Sequence, residues 1–396
     1  MIADKLHIGI YMVFFAISIV FSFLLNAIFV KYSKSLGIKD IDSGTTIIRW
    51  GAQSKSTLGG LSFYLLFLLS IVCYSIFFNF NEDFLNPKFV GLLLASTLGF
   101  LIGLTDDAYG TKPLLKFCGQ LFCGLVLIIS GIYIHITPYL WINYVLTLFW
   151  VIGVMNSINM LDNMDGITAT TSSLIICAAL TLILIYHDFS NIHLIILLGT
   201  LGALIGFLVF NWNPSKLYMG DTGSQFLGSF LAAIGIIYFW NVKNVNGDVV
   251  QAKQLIVPIL VFIIPIIDTT IVCINRIWKG QSPFIGGKDH TTHNLALWGL
   301  TDNQVVVFLN GLSVVSIGLM IIIVKYIDSW NHIMSTIGIG YFMMVFIFLF
   351  WITKTDKSIK FSLKLKQKDI HQSESSTTQN EEVFTKKNTR NQIRKI

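Results

Sequence analysis

About eleven apolar stretches punctuate this chain, most of them long enough to cross a bilayer, and no other feature constrains its fold as tightly. They run roughly over 7–30, 58–79, 89–105, 114–134, 139–155, 168–186, 192–210, 224–240, 254–274, 303–325 and 332–353. A hydrocarbon core of about 30 Å offers no water to peptide groups, so each span must satisfy its own backbone as a helix. A mean hydropathy of +0.71 excludes a soluble globular protein. The expectation is an all-α, polytopic membrane domain over 1–353, followed by a polar, basic, disordered tail over 354–396. No small-residue cleavage site follows the first span, which therefore reads as a retained helix.

Lys and Arg give the orientation. If the N-terminus is outside, the inner loops carry Lys31, Lys34, Lys39, Arg49 and Lys55, then Lys112, Lys116, Lys216, Arg276, Lys279 and Lys288. Of the 27 Lys and Arg, only Lys5, Lys88, Lys243, Lys253 and Lys325 then fall outside. The C-terminus is accordingly cytoplasmic. Cys73, Cys118, Cys123, Cys177 and Cys273 lie within apolar spans without metal-ligand spacing and read as packing residues.

The acids fall in clusters where spans end on the inner side. A carboxylate near hydrocarbon costs about 2.5–3.5 kcal/mol on insertion scales, so acids gathered there usually meet a metal, a proton or a substrate. Asp106-Asp107 ends the third span, with Lys112 and Lys116 following. Adjacent acids repel, which a nearby cation would relieve, although a solvated helix cap explains the pair equally well. After the fifth span, Asn156, Asn159, Asp162 and Asp165 recur at every third position. On a helix they would form one stripe of amide and carboxylate groups, suited to Mg²⁺, ribose hydroxyls or a base edge. Asp221 lies in Gly220-Asp-Thr-Gly-Ser224, before the eighth span, with Tyr218 upstream to stack on a base. The helix that follows points its positive end at that site. Gly59-Gly60 beside Lys55 offers either close helix packing or backbone N–H groups for phosphate.

The longest inner loop contains Asp289, His290 and His293, with Arg276 and Lys279 before it. Zinc would need a third soft ligand, so phosphate contacts are preferred. Asp268 sits deep in the ninth span, where an intramembrane acid is a functional candidate.

In this order, the elements from Gly59-Gly60 to His293 resemble the polyprenyl-phosphate N-acetylhexosamine-1-phosphate transferase family. Asp106-Asp107 is similar to its paired-Asp element, and Asn156 to Gly166 to its Asn-rich element, with Asn163 where a glycine is common. Gly220 to Ser224 is similar to its third acidic element, and Asp289 to His293 to its histidine loop. The resemblance implies transfer of a sugar 1-phosphate, from a UDP-N-acetylhexosamine, to polyprenyl (undecaprenyl) phosphate, with release of UMP. That reaction would be the first membrane step of a cell-surface polysaccharide, at the cytoplasmic face of a bacterial inner membrane. The cofactor implied is Mg²⁺, with Mn²⁺ as a substitute.

By resemblance, Asp221 carries the metal, with Asp162 as a second candidate, and Asp106 and Asp107 lie beside the lipid phosphate. Asn156, Asn159, Asp162 and Asp165 hold the uridine end and Tyr218 stacks on uracil. His290 and His293 meet the diphosphate or sugar, and Lys55, Lys116, Asp268 and Arg276 complete the substrate contacts. Two histidines in place of a run of three set the loop nearer the GlcNAc-1-phosphate branch than the muramoyl-pentapeptide branch. A homodimer is compatible with this reading, and no nucleic-acid partner is expected. The rival outside the fold is an ion-coupled transporter, which would place acids at mid-membrane and show internal repeats. A purely structural scaffold gives no reason for acids on one rim.

Overall fold

The computed structural model describes residues 2–32, 55–78, 86–186, 192–243, 250–282, 287, 289–327, 330 and 332–354. Arg49, Lys288 and the tail from residue 355 lie outside the described residues.

All regular structure among the described residues is helical. The helices are α1 Ile2–Tyr32, α2 Gly59–Phe77, α3 Pro87–Tyr109, α4 Pro113–Ile129, α5 Leu140–Leu161, α6 Ile167–Tyr186 and α7 Ile192–Asn211. They continue with α8 Gly220–Ile234, α9 Gln251–Val261, α10 Ile263–Trp278, α11 Thr291–Leu297, α12 Asp302–Tyr326 and α13 His332–Lys354. Nine of the helices among the described residues are long and apolar enough to cross a membrane, and the bent pair α9 and α10 counts as a tenth if it forms one span.

The ninth span, expected to be continuous, bends by 81° between Val261 and Ile263. Pro265 accounts for the break. In an unbroken helix its ring would strike the carbonyl four residues back, at Val261, whereas in the first turn of a new helix its missing N–H costs nothing. The fourth span is also shorter than expected. It stops at Ile129, after which Gly131 turns the chain with φ +82°.

At the centre stands α8, with every residue buried except Asp221. It packs against α2, α3 and α5 and continues into a π-helical turn over Gly235–Trp240. Lipid gives helices no hydrophobic reason to associate, so close approach of small residues replaces that force. A Cβ on Gly60 would stand 2.2 Å from the backbone nitrogen of Gly223. One on Gly103 would stand 2.1 Å from the carbonyl oxygen of Asp221. These contacts set α2 and α3 against the first turn of α8, and that turn organises the site.

Candidate functional site at one end of the bundle

The C-terminal turns of α3 and α5 and the N-terminal turns of α4 and α8 meet around the ammonium of Lys116. Its Nζ donates to Asp106 Oδ2 at 2.8 Å and to Asn159 Oδ1 at 3.2 Å, and lies 3.8 Å from Asp221 Oδ2. Asn159 Nδ2 donates to Asp221 Oδ1 at 2.6 Å and to Ser224 Oγ at 2.8 Å. Asp106 Oδ1 accepts from the backbone N–H and hydroxyl of Thr111 at 2.8 and 2.6 Å. Three helices thus deliver two carboxylates and one amide oxygen to one lysine on a fourth.

The paired acids do not act as a pair. Successive helical residues diverge by roughly 100°, so Asp106 and Asp107 face different partners. Asp107 accepts the backbone N–H groups of Asp221 and Thr222 at 3.1 and 2.8 Å, and the Thr222 hydroxyl at 2.7 Å. It caps α8, using the donors that the helix itself leaves unpaired. Gly220, at φ +69°, makes the turn into that cap.

The stripe expected over Asn156–Asp165 is broken, because α5 ends at Leu161. Asn156 and Asn159 lie on the helix, Asp162 is its C-cap, and Asp165 belongs to the following turn. Asp165 accepts from Ser215 N and Oγ at 3.0 and 2.8 Å, and from Asn213 Nδ2 at 3.2 Å. Asn213 also reaches Asp302 at 3.1 Å. Lys55 donates to Ser215 Oγ at 3.3 Å, with its ammonium 5.2 Å from the Tyr218 ring centroid. The Gly59 and Gly60 N–H groups go to the carbonyls of Tyr218 and Met219, both at 3.0 Å. Those two donors are therefore committed to the fold, and phosphate does not have them.

The histidine loop forms a second cluster beside the first. His290 Nδ1 meets Asp268 Oδ2 at 2.8 Å, and the Thr291 N–H donates to Asp268 Oδ1 at 2.8 Å, joined by the Thr291 hydroxyl. With Asp268 ionised, this contact puts the ring proton of His290 on Nδ1. The ring of His293 stands edge-on to that of His290, with centroids 5.8 Å apart. Arg276, expected to be a phosphate contact, instead grips Asp289 with Nε and Nη2, both at 2.8 Å. Burial alone would raise the Asp289 carboxyl, but the bonded guanidinium outweighs it and holds the group below the ordinary carboxylate value. Asn163 Oδ1 accepts the Thr292 hydroxyl at 2.6 Å, joining this loop to the end of α5.

Sequence reasoning missed Gln120, Thr111, Asn163, Asn213, Ser215, Thr222, Ser224, Gln225 and Asp302 as parts of these networks. The spacing of Lys116 to Gln120, and of Asp221 to Gln225, was the available signal: each pair is four apart and shares a helix face.

Among the described residues, no three His, Cys, Asp or Glu side chains gather as a ready-made metal centre. Asp106, Asp221 and Asn159 nevertheless form a hard, oxygen-only set that already surrounds one cation. Mg²⁺ is usually held by one or two carboxylates plus substrate phosphates, so these residues fit it.

The site and fold define a class: a polytopic helical membrane protein with an acid-rich, cation-bearing centre at one end of its bundle. Residues 89–239 match the model of glycosyl transferase family 4. The chain is 28% identical over 265 residues to a probable undecaprenyl-phosphate N-acetylglucosaminyl 1-phosphate transferase of Bacillus subtilis, covering 64% of this chain and 70% of that protein. It is 33% identical over 203 residues to a phospho-N-acetylmuramoyl-pentapeptide-transferase of Streptococcus agalactiae, covering 46% of this chain and 58% of that one. A Bacillus thuringiensis protein of the same description is 32% identical over 209 residues, covering 47% of this chain and 62% of the relative.

Proposed function

We propose that this chain transfers an N-acetylhexosamine 1-phosphate from its UDP-sugar to polyprenyl phosphate, giving the polyprenyl-diphospho-sugar and UMP. The observation that carries the reading is the convergence of Asp106, Asn159 and Asp221 on Lys116 at the end of an apolar bundle. One substrate is a lipid and the other is soluble, so the chemistry needs a membrane boundary. The likeness to the GlcNAc-1-phosphate transferase extends over more of the chain than that to the pentapeptide transferases, which supports the choice of donor. The Lys and Arg bias supports a cytoplasmic site, with the N-terminus outside.

The attacking lipid phosphate is already largely anionic near pH 7, since a phosphomonoester's second pKa is about 6. Charge neutralisation and in-line placement then matter more than a strong base. Asp221 and Asp106, with the Asn159 amide oxygen, would hold Mg²⁺ or Mn²⁺. When bound, the metal supplies positive charge to the diphosphate and to the departing UMP. Lys116 offsets the carboxylates and presents a cation to the incoming phosphate. Asp107, by capping α8, keeps Asp221 at the centre. Asp268 holds His290 by Nδ1 and so aims Nε2, the acceptor nitrogen of that tautomer, which suits a substrate hydroxyl or N–H. Lys55 and Tyr218 form a cation and aromatic pair suited to a nucleotide.

The second reading takes UDP-MurNAc-pentapeptide as donor, favoured by the higher identity over the shorter match. UMP release by the purified chain separates the two. UDP-N-acetylhexosamine should be turned over with undecaprenyl phosphate and a divalent cation, and preference for the pentapeptide donor would reverse the assignment. No UMP from any donor would refute the transferase reading.

A further inference from the structure

The three residues that contact one another around the centre come from α4, α5 and α8, and one turn deeper these same helices are tied by side-chain amides. Lys116 and Gln120 are four apart on α4, Asn159 and Asn156 three apart on α5, and Asp221 and Gln225 four apart on α8. Each spacing stacks the two side chains on one helix face, about 4.5–6 Å apart along the axis. Asn156 Nδ2 donates to Gln120 Oε1 at 2.8 Å. Gln120 Nε2 donates in turn to Asn156 Oδ1 at 3.3 Å and to Gln225 Oε1 at 3.1 Å. Gln120 is 1% exposed and Gln225 is 0% exposed.

The column is not an efficient way to stabilise a bundle. Gln225 Nε2 has no hydrogen-bond partner among the described residues, and an orphaned buried donor carries its full desolvation cost. Apolar side chains of similar size would fill the space without that cost, but they would also let the helices slide and rotate. Amides are directional, and between membrane helices they fix relative height and rotation where hydrophobic force is absent.

We propose that Gln120, Asn156 and Gln225 form a positioning column that sets the register of α4, α5 and α8, and so the spacing of Lys116, Asn159 and Asp221 for transfer. Asn156, expected from the sequence to touch substrate, acts in this scheme from one turn below. The inference rests on the transferase reading of the same centre. A displacement of about 1 Å in a positioned group costs roughly 10²-fold in rate, which is the scale expected here.

The test uses the full chain in detergent or nanodiscs, with UMP release and the thermal midpoint measured together. Gln225→Met keeps size and burial but removes the acceptor for Gln120. Its kcat should fall about 10- to 100-fold, with KM for the UDP-sugar within about twofold of wild type. The triple variant Gln120→Met/Asn156→Leu/Gln225→Met removes every amide at once and leaves no orphan. It should melt no lower than wild type while its kcat stays at least about tenfold down. Wild-type turnover by the triple variant would overturn the column, as would rate losses that only track loss of folded protein in both variants. Wild-type protein that releases no UMP would instead refute the transferase reading.

Discussion

The Lys116 centre and the histidine loop both hold acids against nitrogen donors, yet they share those donors in opposite ways. Around Lys116, one ammonium serves Asp106 at 2.8 Å and Asp221 at 3.8 Å, while Asp107 stands behind them on the cap of α8. In the histidine loop each acid has its own partner, Arg276 for Asp289 and His290 for Asp268, both at 2.8 Å. The first cluster is short of positive charge and partly open, with the Asp221 side chain 33% exposed. The second gives each acid a partner of its own and is closed, with Asp268 1% exposed. Charge left uncompensated in a low-dielectric rim is expensive and persists where something cationic is to be added. Charge compensated pair by pair serves to hold geometry. The contrast is what the proposed function expects, with a metal–phosphate complex bound in the first region and orientation supplied by the second.

The strongest test of that division is Asp221→Asn. The substitution keeps an oxygen for Asn159 and leaves the Lys116–Asp106 pair in place, so the fold should survive. Transfer should fall by about 10³-fold or more, since the charge that grips a cation is gone while the shape remains. UMP release in a divalent-cation titration is the measurement. Turnover near wild type would remove Asp221 from metal binding and erase the contrast between the regions.

A smaller loss is expected at Asp268, where geometry and not charge is at stake. Asp268→Asn should leave UDP-sugar KM nearly unchanged and lower kcat by about 10- to 100-fold, because the amide no longer fixes which nitrogen of His290 carries the proton. The pH profile of kcat should shift as well, which a packing defect alone would not produce. An unchanged profile with reduced folded protein would make Asp268 a structural residue only.

How much of this was legible in the chain follows from range. Lipid forces any long apolar run into a helix, so the spans could be read from composition, and each expected span contains a helix. Pro265 was visible too, but its meaning depends on whether it falls inside a helix or in a first turn, and the apolar pattern does not decide that. The acids and amides were visible as types while their partners were not. Asp107 finds its partner 115 residues away, and Gln120 reaches Gln225 across 105. The four-residue spacings mark Gln120 as sharing a face with Lys116 and Gln225 with Asp221, but they do not say that the two glutamines meet. Asp268 and His290, only 22 apart, were each singled out, but both follow the bend, and their contact depends on the chain turning back beyond α10, where Gly280 has φ +65°.

The smallest predicted effect concerns stability, and it separates the closed cluster from the open one by pH. The Asp289 carboxyl is held below its ordinary value because Arg276 more than offsets the effect of burial. A depressed carboxylate contributes stability that is present above the unfolded value of about 3.9 and is lost as pH falls through the lower folded value. Between pH 8 and 5 this pair should therefore leave the melting temperature flat. In Arg276→Gln the same carboxyl is buried without its cation, so its value rises and protonation now relieves a cost. Breaking a buried pair costs about 3–5 kcal/mol, and part of that should return on acidification. The gap in melting temperature between wild type and Arg276→Gln is thus expected to be widest near pH 7 and to narrow toward pH 4. A gap that stays constant over that range would mean that Arg276 packs against the loop without neutralising it, and the claim that each acid here has a partner of its own would fail.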